Sequence, residues 1–138
     1  MERIKRALIV GAFETRSGSR EEAEDSLSEL GELLRSCGIN VADSTICPLR
    51  GRYVSTFIGS GRLQEIVVSA SDLEVDLVVF DEELTPAQQR NLETAIQKPV
   101  VDRTEIILEV FASKARTHEA KIQVQLAQIR YNKCYLST

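Results

Sequence analysis

The sequence predicts an α/β fold. We expect a small four-stranded parallel sheet flanked by helices, followed by one long projecting C-terminal helix that forms half of a helical hairpin. Three observations predict it. Short, continuous apolar runs at Ala7-Leu8-Ile9-Val10-Gly11-Ala12 and Leu77-Val78-Val79-Phe80 suit strands buried on both faces. Stretches with apolar residues at helical spacing separate the strand-like runs, which is the pattern of βαβ units with right-handed crossovers. The last quarter, Asp102 to Tyr131, contains neither Pro nor Gly and is rich in good helix formers.

Taken in order, residues 6–12 form the first strand, and Phe13 to Ser19 reads as a loop. Ser19 is placed to cap a helix whose first turn holds Glu21, Glu22 and Glu24, where the helix dipole favours acids. Ala23, Leu27, Leu30, Leu33 and Leu34 keep helical spacing up to Cys37, and Gly38 is the C-terminal stop. Residues 41–47 alternate poorly and suggest an edge strand that Pro48 ends. Leu49 to Thr56 reads as an exposed loop, and a helix begins near Ser60 with Leu63, Ile66, Val67 and Ala70 as its apolar side. Residues 76–81 are the strongest strand of the chain and close on an acid. Thr85-Pro86 opens a third helix, with Ala87, Leu92, Ala95 and Ile96 as buried candidates. Residues 99–102 make the last strand. Because the first and third strands are the most apolar, they belong at the centre, and the expected order is 2-1-3-4.

The chain thus divides into an α/β subdomain, 1–103, and a long helix, 104–138. Thr104 can cap the helix. Ile107, Val110, Phe111 and Ala115 form an apolar stripe on its first half, and Ile122, Leu126 and Ile129 one on its second. Such a rod runs roughly 40 Å at 1.5 Å per residue, longer than covering a small domain requires. Its first half should pack on the subdomain and its second half should project. The stripe Ile122, Leu126, Ile129 then needs a partner, and self-association through it is one outcome.

Composition narrows the function classes. A chain of 138 residues with 43% hydrophobic content is a globular domain rather than a disordered segment. No apolar run is long enough to span a bilayer, and the N-terminus lacks the pattern of a signal peptide, so a cytoplasmic protein is expected. Cys37, Cys47 and Cys134 are far apart, odd in number and without CxxC spacing, so they read as buried or incidental thiols and no metal site is expected. The net charge of −4 argues against generic nucleic-acid affinity. From Val101 onward, however, six Lys/Arg face four acids, a local +2 that leaves −6 upstream. Local charge decides whether a phosphate backbone is attracted.

Four motifs bear on chemistry. Gly59-Ser60-Gly61-Arg62 invites a phosphate-loop reading, but Leu63 follows where a P-loop has Lys-Ser/Thr, and GxGxxG fails at Glu65-Ile66. Gly59, Gly61 and Arg62 remain candidates for holding an anion at a helix N-terminus; a glycine-permitted tight turn is the plainer reading. Asp81, Glu82 and Glu83 follow a central strand, where doubly wound sheets place ligand sites and acids can hold magnesium; we read them as solvated loop acids. His118 has no nucleophile or orienting group beside it that would make a base, and reads as a solvated helical residue. Lys114, Arg116, Lys121, Arg130 and Lys133 could be a solvated helix face. Few acids follow Glu109, though, and Gln123, Gln125 and Gln128 lie between the bases. We therefore read the set as RNA-binding, the bases for phosphates and the glutamines for base or sugar edges.

Four blocks then carry a resemblance: Ile58-Gly59-Ser60-Gly61-Arg62-Leu63-Gln64-Glu65-Ile66, Asp81 to Glu93, Val101 to Leu108, and Ala115 to Gln128. In this order they resemble the N-terminal region of the HflX family of ribosome-associated GTPases, over Ala7 to about Tyr131. The resemblance implies an N-terminal α/β subdomain, two long antiparallel helices and then a GTPase domain. It also implies binding to the large ribosomal subunit and ribosomal RNA, and a role in splitting or rescuing ribosomes under stress. The partner helix and GTPase domain find no counterpart in these 138 residues, and GxxxxGK[ST] occurs nowhere in them. The expectation is a non-catalytic chain without a cofactor of its own, with GTP and magnesium belonging to the GTPase domain. Either an expressed piece of a longer protein or a shortened relative would fit.

Overall fold

In a computed structural model of the chain, describing residues 4–16, 18–49, 56–112 and 126, four parallel strands form one sheet. They are β1 (Arg6–Glu14), β2 (Asn40–Leu49), β3 (Leu77–Phe80) and β4 (Val100–Asp102), in the order β2-β1-β3-β4. The helices are α1 (Arg20–Ser36), α2 (Ser60–Asp72), α3 (Pro86–Ile96) and α4 (Arg103–Ala112). This is the expected α/β architecture, with the two most apolar strands at the centre.

Alternate residues of each strand feed opposite faces, and each face has its own core. Leu8, Val10, Val78, Phe80 and Val100 pack with Ile66 and Ala70 of α2 and Leu92 and Ile96 of α3. Ala7, Ile9, Leu77, Val79 and Val101 pack with Leu27, Leu30 and Leu34 of α1 and Ile106 of α4. So α2 and α3 cover one face, and α1 and α4 lie on the other. Ile4 and Leu126 join this second core.

The helix ends follow their local chemistry. Ser19 Oγ accepts from the Glu22 amide at 3.3 Å and starts α1. α1 ends in a Schellman closure: Ile39 N–H donates to Leu34 O and Gly38 N–H to Arg35 O, both at 3.0 Å, with Gly38 at φ 79°. A side chain there would be strained. Thr85 and Gln88 form a reciprocal capping box, with Pro86 in the first turn of α3. Such caps each contribute about 1 kcal/mol.

Several expectations need correction. β1 continues through Phe13 and Glu14, which pair with Pro48 and Leu49, so both strands outrun the apolar runs that revealed them. Pro48 does not end β2; an edge strand tolerates a missing N–H on its outer side. The pairing absorbs an irregularity between Ala7 and Leu8, opposite Val41 and Asp43, which leaves Ala42 as the extra residue. Among residues 103–109 of α4, Ile106 is the one fully buried and Ile107 is only partly so, while Leu108 is 60% exposed. Leu126, expected to wait for a partner, is 1% exposed and sits in the α1-side core. Its apolar area is already covered within this chain, which removes it from any self-association surface. Ile122 and Ile129 lie outside the described residues, as does most of the helix expected beyond Ala112.

Candidate functional site

Polar chemistry collects at the carboxyl ends of β3 and β4. β4 passes directly into α4, Asp102 closing the strand and Arg103 opening the helix. Asp102 is buried and each of its oxygens is used. Oδ1 accepts from the Glu105 amide at 2.9 Å and caps α4, while Oδ2 accepts from the Leu84 amide at 3.0 Å and holds the β3–α3 connection. The cap is therefore Asp102, not Thr104. A carboxylate here also opposes the positive end of the α4 dipole favourably.

Arg103 reaches back across the sheet end. Its Nη1 lies 2.9 Å from Asp81 Oδ1 and donates to Ser26 Oγ of α1, and its Nη2 lies 3.7 Å from Glu29 Oε2. The Asp81 side chain is 3% exposed and the Arg103 side chain 34%. Asp81 is thus no solvated loop acid: the strand end buries it and a guanidinium neutralises it, which is the arrangement a buried carboxylate requires. Glu83 is exposed and Glu82 intermediate.

Beside this pair, at the β1/β3 switch of strand order, a cleft of about 370 Å³ is lined by Phe13, Glu14, Ser19, Glu22, Asp81 and Glu82 among others. Open α/β sheets place ligands at such a crevice. The charged residues of this lining are all acids, which disfavours a phosphate. No grouping of three or more His, Cys, Asp or Glu suited to a metal occurs among the described residues.

The Gly59–Arg62 stretch lies on the opposite face. Gly59 is the N-cap of α2, with φ −68° and no side-chain hydrogen bond to the first-turn amides. Neither Gly59 nor Gly61 has positive φ; Phe57 does, at 68°. Neither glycine therefore adopts a conformation that only glycine favours, and a Cβ on Gly61 would meet nothing within 4 Å. Arg62 Nη1 pairs with Glu65 Oε2 at 3.2 Å on the surface. Beneath them burial raises the Cys47 thiol above its ordinary 9.0, the Arg62 charge opposing and Glu65 assisting. Cys37 and Cys47 are both buried, as expected, and form no disulfide among the described residues; Cys134 lies outside them. So do Lys114, Arg116, His118, Lys121, Arg130 and Lys133.

Sequence reasoning missed the Asp81–Arg103–Ser26 assembly. Its one legible signal was an acid closing the most apolar strand, since an acid so placed tends to be buried and then needs a cation.

Fold and site together define a doubly wound α/β domain whose chain leaves the sheet through a charged joint into a helix. Among known sequences, the family described as "GTP-binding GTPase N-terminal" matches residues 24–112. The GTPase HflX of Lacrimispora saccharolytica is 41% identical over 136 residues, covering 99% of this chain and 32% of that protein. That of Chlamydia pneumoniae is 44% identical over 126 residues, 91% of this chain and 26% of that protein, and that of Escherichia coli 35% over 127 residues, 92% and 29%. Among solved structures, a GTP-binding protein from Sulfolobus solfataricus in complex with GDP superposes with a TM-score of 0.56 at 25% identity, over 94% of this chain and 37% of that one. The chain belongs to this family, the N-terminal domain of the HflX GTPases. It spans about a third of the length of the curated relatives it matches. Among the described residues no helix is long and apolar enough to cross a membrane.

Proposed function

We propose that this chain is the non-catalytic ribosome-binding module of an HflX-like GTPase, acting in the cytoplasm on the large ribosomal subunit through ribosomal RNA. Residues 1–103 position the segment 104–138, whose Lys114, Arg116, Lys121, Arg130 and Lys133 contact phosphates. GTP and magnesium belong to the GTPase domain of full-length relatives. The observation that carries the reading is family membership over 24–112. The charge balance supports it, since the residues from Val101 onward are +2 within a chain of −4. So does the Asp102–Arg103 joint, which gives that segment a fixed root.

Co-sedimentation of the chain with large subunits over a KCl series tests this. Binding should weaken with salt, and Arg116→Glu with Lys121→Glu should reduce the log–log salt slope by about 2, one for each phosphate no longer neutralised. Unchanged pelleting of the double variant would overturn the assignment of those residues.

A second reading, small-ligand or nucleotide binding at Gly59, Gly61 and Arg62, has one observation in its favour: no side chain of the N-cap residue takes up the first-turn amides of α2. Calorimetry with ATP and GTP, with and without magnesium, separates the two. Nucleotide binding abolished by Arg62→Ala would favour the second.

A further inference from the structure

We infer that Arg103 is a positioning residue that sets the direction in which α4 leaves the domain, by bolting the root of that helix to α1 across the end of the sheet. The inference concerns orientation, and its relevance to RNA contact rests on the function proposed above.

α1 and α4 share one face of the sheet, where Ile106 enters the core formed with Leu27, Leu30 and Leu34. The neighbouring side chains diminish that grip quickly: Ile107 is half-buried and Leu108 is 60% exposed. Among residues 103–109 of α4, Ile106 is the one fully buried side chain, and a non-directional apolar contact fixes distance better than angle. Arg103 removes that angular freedom. Its planar fork places one nitrogen against Asp81 at the end of β3 and against Ser26 of α1, and the other toward Glu29 one turn further along α1. Contacts with two elements from a single rigid group define a plane, which a lone ammonium cannot do. Asp102 fixes the same root from the other side through the Leu84 and Glu105 amides. Asp102 fixes where the helix begins; Arg103 fixes where it points.

The test is nuclear magnetic resonance of the whole chain in a weakly aligning medium. In the parent protein, amide dipolar couplings of residues 104–109 should fit one alignment tensor with α1 and the sheet. In Arg103→Gln they should shrink by at least about 15%, the fall in S when the squared order parameter drops from rigid to mobile values, while α1 and the sheet keep theirs. Arg103→Lys should recover part of the loss, since an ammonium can still meet Asp81. If Arg103→Gln unfolds, the double change Ser26→Ala, Glu29→Gln replaces it. That variant leaves the Asp81 pair intact and should show a smaller shrinkage of the same sign. Couplings of α4 that stay on the common tensor in whichever variant folds would overturn the inference. The measurement involves no ribosome, so a failure of the parent chain to pellet with ribosomes would sink the proposed function and leave this result standing.

Discussion

Two helix N-termini in this domain contrast sharply. At the start of α2, Gly59-Ser60-Gly61-Arg62 has the composition of an anion loop, yet its glycines adopt ordinary dihedrals and its arginine pairs with Glu65 one turn away on the surface. At the start of α4, Asp102-Arg103 resembles no binding motif, yet it joins β3, α1, the β3–α3 connection and the helix itself. The chemistry of a helix start is therefore set by what the fold brings to it. The partners of Arg103 lie 77 and 22 residues away in sequence, whereas the partner of Arg62 lies 3 away.

Four substitutions probe the two termini and the helix that follows the second. The largest effect belongs to Asp102→Ala, which removes the α4 cap and strands a buried Leu84 amide; urea unfolding should show a loss of about 3 kcal/mol. Arg103→Met leaves Asp81 buried without its cation and should lose about 2 kcal/mol, less than a fully enclosed pair because the guanidinium is partly in water. At the other terminus, Gly61→Ala should stabilise by about 0.5 kcal/mol, since the added Cβ meets open space and a helix favours Ala. A loss there instead would mean that the glycine has a conformational duty the geometry does not reveal.

Glu109→Gln should give the smallest change. Burial and the Glu105 charge raise the Glu109 carboxyl above its ordinary 4.5. Its folded pKa exceeds its unfolded one, so stability is lost as pH rises from the ordinary value through the raised one, and the ionised form opposes folding at neutral pH. Removing that charge should add about 0.3 kcal/mol at pH 7, the scale of one like-charge pair a helical turn apart, and nothing well below pH 4.5. Melting curves of the parent and variant across pH would check both limbs.

Much of the fold was legible because its signals are local. Apolar runs marked β1 and β3, weaker patterns placed β2 and β4, and Ser19, Gly38 and Thr85-Pro86 marked helix ends by their own chemistry. Strand order followed from the two most apolar strands needing cover on both faces. What escaped depends on distant partners. Phe13 and Glu14 carry no strand signal of their own and extend β1 because β2 lies alongside. Asp81 looked solvated because nothing nearby in sequence announces Arg103. Ile106 rather than Ile107 is buried because the helix phase is fixed by the Asp102 cap, not by the centre of the apolar stripe.

The direct passage from β4 into α4 has a mechanical consequence. With no intervening loop, there is no slack to absorb a change in length. One residue inserted between Asp102 and Arg103 would spin the following helix by about 100° and turn its buried side toward water. Exposed positions of this helix can change their chemistry at little cost, but the splice itself acts as a keyed shaft whose angular phase must stay constant.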